Sequence, residues 1–415
     1  MHSESYEMVE VHDAQRLKEL QALPLDRKIG VTSARIIEWY NHFKGRVYVS
    51  YSGGADSTVL LHLVRSVFPD MLAVFVDTGL EYPELRDHVK QTDNVLWIKP
   101  EMNYKDVIKQ YGWTFPNKEI ARKIYYARQG SQWAINVMYG LNTDGSVSKY
   151  AQRCVKWNDL INSPFLISDR CCDIMKERPL RTHPLLKNQY SYVGTRAEES
   201  ERRRQAWIKT GCNAFNTRTP VSKPLSFWTH QDVLQYIVAA KLTIPSVYGQ
   251  IVSENQTLKF TGVQRTGCIF CPIGAHLERE NSFQQLAYTH PKLYHYCLYG
   301  GEYNENGMWV PNSQGLGLSK LLDFVGIPYQ PIAITNPDGD LYKAENDLRE
   351  RARQYLASTK ISKQQFASEI GINNQQLSRW LHNKRNLNAQ RLERVEALLS
   401  MKEGDTSVIS NQVAQ

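Results

Sequence analysis

The feature that most constrains the fold of this chain is a glycine-rich turn between a strand-like run and a helix-like run. Residues 47–64 read VYVSYSGGADSTVLLHLV, in which a β-branched and aromatic run precedes apolar residues at helical spacing. Glycines let the backbone approach an anion, and the amides and dipole of the following helix favour negative charge. A glycine pair alone also fits a tight turn with no ligand. The full motif favours phosphate binding by Ser50, Ser52, Gly53, Gly54, Asp56, Ser57 and Thr58.

The segments after this turn repeat the alternation of strand and helix. DMLAVFVDTG and NVLWIKP read as buried strands, and PELRDHVKQT between them reads as a helix with Pro83 in its first turn. Alternation at this spacing is typical of a doubly wound parallel sheet with right-handed crossovers. Such sheets bind ligands beyond the carboxyl ends of their strands, so we expect the chemistry near residues 50–56 and 77–82.

Length and composition fit a folded protein of several domains. The chain has 415 residues, of which 42% are hydrophobic and 11% aromatic. Its 50 Lys and Arg exceed its 42 Asp and Glu, for a net charge of +8, which is weak support for a polyanionic partner. No run approaches about 18 apolar residues and the first residues do not resemble a signal peptide, so we expect a cytoplasmic protein without a membrane partner.

Changes in composition along the chain predict six segments. They are a helical lead-in (1–45), an α/β domain that carries the glycine-rich turn (46–240), an α-rich cysteine-containing region (241–335), a linker (336–357), a small all-α helix-turn-helix domain (358–400) and a disordered tail (401–415).

Two cysteine pairs predict a metal centre. Cys171 and Cys172 are adjacent, and Cys268 and Cys271 form a C-x-x-C motif. Four thiolates can hold a zinc ion or an iron-sulfur cluster, but adjacent cysteines are unusual for structural zinc. The residues alone therefore leave both an iron-sulfur cluster and Zn²⁺ open. The other three cysteines, at positions 154, 212 and 297, are expected to be inert buried thiols.

The last part of the chain has a helix-turn-helix pattern. Phe366, Ile370, Leu377 and Trp380 recur at helical spacing around Gly371. The segment resembles the lambda-repressor-like DNA-binding fold, and a helical appendage that packs or dimerises is the alternative interpretation. The resemblance places six candidate DNA-contacting residues in or after the recognition helix: Gln375, Gln376, Ser378, Arg379, Lys384 and Arg385.

The motif SYSGGADST resembles the PP-loop of the adenine-nucleotide alpha hydrolases, a group that includes ATP pyrophosphatases and 3'-phosphoadenylylsulfate (PAPS) reductases. Four further segments match that family in order: FVDTGLEYPE, CCDIMKERPL, VGTRAEESERR and KPLSFWTHQDVLQYI. The resemblance implies an α/β HUP-like fold that binds ATP or a PAPS-like nucleotide. It also implies Mg²⁺ oriented by Asp56 and catalytic roles for Asp56, Lys118 and Arg196. Further nucleotide-binding positions implied by it are Asp77, Thr78, Gly79, Glu81 and Gly194.

The cysteine arrangement is similar to that of assimilatory adenylylsulfate reductases, which implies a [4Fe-4S] cluster on the two pairs. Those reductases end in a tail with a reactive cysteine, whereas this sequence has no cysteine after Cys297. We therefore expect the nucleotide and cluster machinery of the family without its sulfonate-accepting thiol.

The segment RTGCIFCPIGAHLERENSFQQLAYTHPKLYHYCL is similar to DndC-type proteins of DNA phosphorothioation and to phage-encoded relatives. The resemblance implies an AMP- and pyrophosphate-forming enzyme that activates nucleic acid, most simply DNA, for sulfur transfer. A cysteine desulfurase or another sulfur donor would be a partner, and a homodimer stays open. The alternatives are a PAPS or adenylylsulfate reductase and a nucleotide- or redox-sensing DNA-binding regulator.

Overall fold

A computed structural model describes residues 12–277, 282–329, 337–359, 361–382, 391–392 and 394–399. The chain divides into two compact units. The first, here called the α/β unit, is built from Met1–Ser282 and Glu302–Pro311, and the second, the C-terminal unit, is built from Phe283–Gly301 and Asn312–Gln415. Within the described ranges, no helix is both long enough and apolar enough to cross a membrane.

A six-stranded sheet forms the centre of the α/β unit. Its strands are β1 (Val47–Ser50), β2 (Ala73–Val76), β3 (Val95–Ile98), β4 (Tyr190–Val193), β5 (Asn213–Ala214) and β6 (Val221–Ser222). They lie in the order β3-β2-β1-β4-β6-β5, and only the β5–β6 pair is antiparallel. This confirms the predicted doubly wound α/β fold. Successive crossovers run to opposite sides of β1, so the sheet opens a crevice beyond the carboxyl ends of β1 and β4.

The described residues of the α/β unit form twelve α-helices. They are α1 (Ala14–Gln21), α2 (Leu25–His42), α3 (Ala55–Val67), α4 (Pro83–Lys90), α5 (Tyr104–Tyr111), α6 (Lys118–Arg128), α7 (Gln132–Met138), α8 (Gln152–Val155), α9 (Arg170–Cys172), α10 (Arg178–Thr182), α11 (Glu201–Thr210) and α12 (His230–Ala239). Helix α2 has an apolar stripe in which Ile36 and Trp39 are fully buried. Residues 1–11 of the predicted lead-in lie outside the described residues.

Part of the region 241–335, which we expected to be α-rich, is instead a β-hairpin. Strands β7 (Ile251–Glu254) and β8 (Thr257–Phe260) pair antiparallel around Asn255 and Gln256, which have positive φ angles of 50° and 64°. Two central residues with positive φ are what a tight type I′ hairpin turn requires, and asparagine tolerates that conformation well. A shorter antiparallel pair follows, with β9 (Glu302–Tyr303) and β10 (Trp309–Val310).

The C-terminal unit is helical. Its helices are α13 (Ser282–Thr289), α14 (Pro291–Leu298), α15 (Ser319–Phe324), α16 (Pro337–Ser358), α17 (Lys363–Glu369) and α18 (Asn374–Leu381). Helix α16 occupies most of the segment that we expected to be a linker, because Leu348 and Ala352 join the apolar core of the helix-turn-helix. The predicted disordered tail, 401–415, lies outside the described residues.

Candidate active site

The glycine-rich loop joins β1 to α3 in the way that the sequence predicted. Gly53 has a positive φ of 74°, which glycine adopts without a steric cost, and Gly54 caps α3 in an extended conformation without a side chain of its own. The Ser57 hydroxyl donates to the Gly54 carbonyl (2.9 Å) and is hydrogen-bonded to the Ser52 hydroxyl (3.0 Å). These bonds fix the turn ahead of the first amides of α3, where an anion is favoured.

Gly194 brings the end of β4 against this loop. A Cβ atom built on Gly194 would lie 3.1 Å from the Asp56 carbonyl oxygen and 3.3 Å from the Ser57 Cα. Real Cβ contacts are seldom this short, so a larger residue would push β4 away from α3. The glycine therefore lets Arg196, two residues later, reach the loop.

Arg196 is buried and joins several carboxylates. Its Nε donates to Asp56 Oδ1 (2.7 Å), its Nη1 pairs with Glu198, and its backbone amide donates to Glu199 Oε1 (2.7 Å). Burial raises the pKa of Asp56, and the guanidinium of Arg196 opposes that shift. The arginine is thus held rigidly beside the loop, with a charge suited to an anionic ligand.

A cavity of about 370 Å³ lies beyond the carboxyl ends of β1 and β4. Besides the loop, Gly194 and Arg196, its lining includes residues that the sequence prediction missed: Arg203, His230, Tyr248, Gln264, Arg265 and Thr266. Burial and the nearby Arg196 lower the pKa of His230. Three arginines line the cavity against the two carboxylates of Asp56 and Glu199, and this small excess of positive charge favours an anionic ligand.

The second predicted segment, after β2, borders a smaller cavity of about 120 Å³ that also touches Ser50 and Ser52. Glu81 lines this cavity, and its Oε1 accepts a hydrogen bond from the Thr78 hydroxyl (2.6 Å). Asp77 is buried and pairs with Arg86 (2.8 Å) rather than lining either cavity. Gly79 has a positive φ of 74° that turns the chain between them.

The four predicted cysteines lie within electrostatic range of one another. Cys171 and Cys172 end α9 and precede a π-helical turn at Asp173–Glu177, a local distortion that often marks functional sites. Burial raises the pKa of Cys171, and charge repulsion from Cys172, Cys268 and Cys271 raises it further. The two pairs, about a hundred residues apart in sequence, are therefore electrostatic neighbours.

Two lysines accompany the cysteines. Lys118, for which the resemblance implies a catalytic role, does not line the 370 Å³ cavity and instead pairs with Glu177 (3.3 Å). Burial alone would lower the pKa of Lys118, but Cys172 and Glu177 raise it overall. Lys176, which the sequence analysis missed, lines the smaller cavity, and chiefly the charge of Cys268 raises its pKa. Lys176 thus connects that cavity with the cysteines.

The four thiols have the donor chemistry of an iron-sulfur cluster or of a zinc site. Among the described residues, no three His, Cys, Asp or Glu side chains are grouped closely enough to hold one metal ion.

In the C-terminal unit, helices α17 and α18 form the predicted helix-turn-helix. Gly371, with a φ of 72°, makes the turn, and Asn373 caps α18 through the amide of Gln376 (2.8 Å). Gln375 and Arg379 are exposed and Ser378 is half-buried. Lys384 and Arg385 lie outside the described residues.

Comparison with known protein families gives two matches. A phosphoadenosine phosphosulfate reductase domain model matches residues 46–129 and 118–273, which together are more than half of the chain. A helix-turn-helix model matches residues 353–404.

Individual relatives are distant. An uncharacterized protein of Methanocaldococcus jannaschii is 26% identical over 246 residues, and the match covers 56% of this chain and 37% of that protein. A phosphoadenosine 5'-phosphosulfate reductase of Buchnera aphidicola is 25% identical over 187 residues, covering 38% of this chain and 72% of that protein. The crystal structure of a PAPS reductase from Candida auris matches 59% of this chain and 97% of its own, with 14% identity and a TM-score of 0.30.

Proposed function

The chain belongs to the phosphoadenosine phosphosulfate reductase domain family, which uses adenine nucleotides, and from that membership we propose that it is an ATP-dependent enzyme that activates DNA for sulfur transfer. The observation that carries the proposal is the glycine-rich loop at the crevice between β1 and β4, with Arg196 hydrogen-bonded to Asp56 (2.7 Å). The loop amides and Arg196 would bind the phosphates of ATP, and Ser52 and Ser57 would hold the loop in shape.

In the proposed reaction, an oxygen of the acceptor attacks the α-phosphorus of ATP and pyrophosphate leaves. The acceptor is then linked to AMP, which is a good leaving group. The terminal sulfur of a persulfide, delivered by a cysteine desulfurase or a similar donor, displaces AMP. A second thiol cleaves the resulting S–S bond, leaving sulfur on the acceptor and a disulfide on the thiols.

Two bound groups belong to this proposal. Mg²⁺ would neutralise charge on the ATP phosphates, and Asp56 fits it because magnesium is usually held by one or two carboxylates together with substrate phosphates. Cys171, Cys172, Cys268 and Cys271 would hold a [4Fe-4S] cluster, which supplies redox or sulfur-handling chemistry when bound. Zn²⁺ on the same thiols is the alternative.

The helix-turn-helix supports DNA as the acceptor. Gln375 and Arg379 are exposed on α18, and their side chains match the hydrogen-bonding edges of adenine and guanine. Sulfonucleotide reduction is the second candidate, because relatives such as the Buchnera protein carry that name. It would consume PAPS rather than ATP.

Pyrophosphate release is the decisive measurement. We expect the purified protein to release pyrophosphate when it is given ATP, Mg²⁺ and DNA. The Asp56→Asn variant should be at least 100-fold less active, which is the scale expected for the loss of one preorganised electrostatic contact. Asp87→Asn is the matched control, because Asp87 lies on α4 in an exposed pair with Lys90. Nucleotide binding without pyrophosphate release would favour the regulator, and consumption of PAPS with a thiol reductant would favour the reductase.

A further inference from the structure

Tyr248 lies against the phosphate loop although no sequence motif marks it. Its side chain is 3% exposed and packs on Phe260, with ring centroids 4.5 Å apart. Its hydroxyl oxygen accepts a hydrogen bond from the backbone amide of Ala55 (3.0 Å). Ala55 is the first residue of α3, so the Tyr248 hydroxyl accepts a hydrogen bond from one of the amides at the start of that helix, beside the ligand cavity.

The same hydroxyl is hydrogen-bonded to Thr266. The distance between the Tyr248 hydroxyl and Thr266 Oγ1 is 2.8 Å, and Thr266 precedes Cys268 by two residues. Ile269, which follows Cys268, donates a hydrogen bond from its amide to the Leu80 carbonyl (2.8 Å) in the turn after β2. A short chain of hydrogen bonds therefore runs from the phosphate loop to the Cys-x-x-Cys segment.

Gly54 leaves the space that this chain of bonds needs. A Cβ atom on Gly54 would lie 2.9 Å from Thr266 Oγ1 and 3.1 Å from the Tyr248 hydroxyl. The φ of Gly54 is −79°, which any residue adopts, so the requirement here is for space. The loop and the two hydroxyls are packed as one group.

We propose that Tyr248 is a positioning residue that couples the phosphate loop to the Cys268–Cys271 segment through Thr266, so that a bound nucleotide stabilises that segment. The inference rests on the proposed nucleotide binding. Coupling of this kind is reciprocal, so the state of the cysteine segment would also change nucleotide affinity.

The test compares Tyr248→Phe with Tyr236→Phe in the full-length protein. Tyr236 is also buried and also loses a hydroxyl bond, to His62 Nδ1 (2.9 Å), but it does not line the cavity. ATP affinity is measured by calorimetry, and hydrogen exchange of residues 262–275 is followed with and without ATP. We expect ATP to slow exchange in the wild type and in Tyr236→Phe.

In Tyr248→Phe, we expect ATP to bind roughly two- to tenfold more weakly, the range for one lost hydrogen bond, and to leave exchange of 262–275 unchanged. Thr266→Val should also remove the ATP effect and Thr266→Ser should restore it, which keeps the test decisive if the tyrosine variant folds poorly. If Tyr248→Phe and Thr266→Val respond to ATP like the wild type, the coupling is overturned while the proposed function stands. If the wild type does not bind ATP, both are overturned.

Discussion

The α/β unit and the C-terminal unit place their functional residues in different environments. In the α/β unit, Arg196, Asp77 and Glu81 are buried, and each makes at least one polar contact within the fold. In the helix-turn-helix, Phe366, Leu377 and Trp380 form an apolar core, and the predicted DNA-contacting residues Gln375 and Arg379 are exposed. Substitutions should therefore change stability and function together in the first unit and separately in the second.

The largest effect is expected at the cysteines. Replacing both Cys268 and Cys271 by serine should abolish the visible absorbance of anaerobically purified protein, because two of the four proposed cluster ligands are lost. Cys154→Ser is the control, since Cys154 is not one of the proposed ligands and is buried, with its Sγ 3.7 Å from Lys123 Nζ. Colourless wild-type protein with stoichiometric zinc would contradict the cluster assignment.

The second effect concerns a buried ion pair of the α/β unit. Lys28 is 2% exposed, and its Nζ lies 2.6 Å from Asp232 Oδ2, which also caps α12 by accepting from Thr229. Lys28→Met would leave the Asp232 carboxylate buried without its counter-ion, so we expect the free energy of unfolding to fall by about 3–5 kcal/mol, measured by urea denaturation.

Lys90→Met is the matched control, because the Lys90–Asp87 pair is exposed and such pairs contribute about 0–1 kcal/mol. If Lys28→Met and Lys90→Met lower the free energy of unfolding by similar amounts, the buried pair contributes no more to stability than the exposed pair.

Much of the fold follows from local sequence signals. The β-branched runs predict β1, β2 and β3, because strand propensity is a property of the local sequence. Gly53 predicts the loop, because glycine adopts a positive φ more easily than other residues. The apolar residues at helical spacing in the C-terminal segment are all buried in one cluster, as the pattern predicts. The two cysteine pairs stand out in the sequence by residue type and spacing, and the structure places them within electrostatic range of each other.

The parts that the sequence did not reveal depend on contacts between distant segments. Tyr248 meets Ala55 across 193 positions, and Lys118 lies beside Glu177 rather than at the loop, which no local pattern encodes. The hairpin at 251–260 was missed because its turn uses Asn255 and Gln256 instead of glycine. Pro337 and the residues around it predict a break in the chain, but Leu348 and Ala352 of α16 complete an apolar core that local sequence does not reveal.

The smallest effect, and the one that separates the two units most directly, is expected at Arg379. Because this side chain is exposed on α18, Arg379→Ala should leave the unfolding midpoint unchanged while weakening binding to the preferred DNA duplex by about 1–3 kcal/mol. Lys90→Ala removes the same charge from the α/β unit and controls for nonspecific electrostatics, which should be measured at several salt concentrations. Equal loss of affinity in both variants would mean that DNA binding depends on the overall positive charge of the protein and not on a specific contact made by α18. A lowered unfolding midpoint in Arg379→Ala would mean that function and stability are no more separable in the C-terminal unit than in the α/β unit.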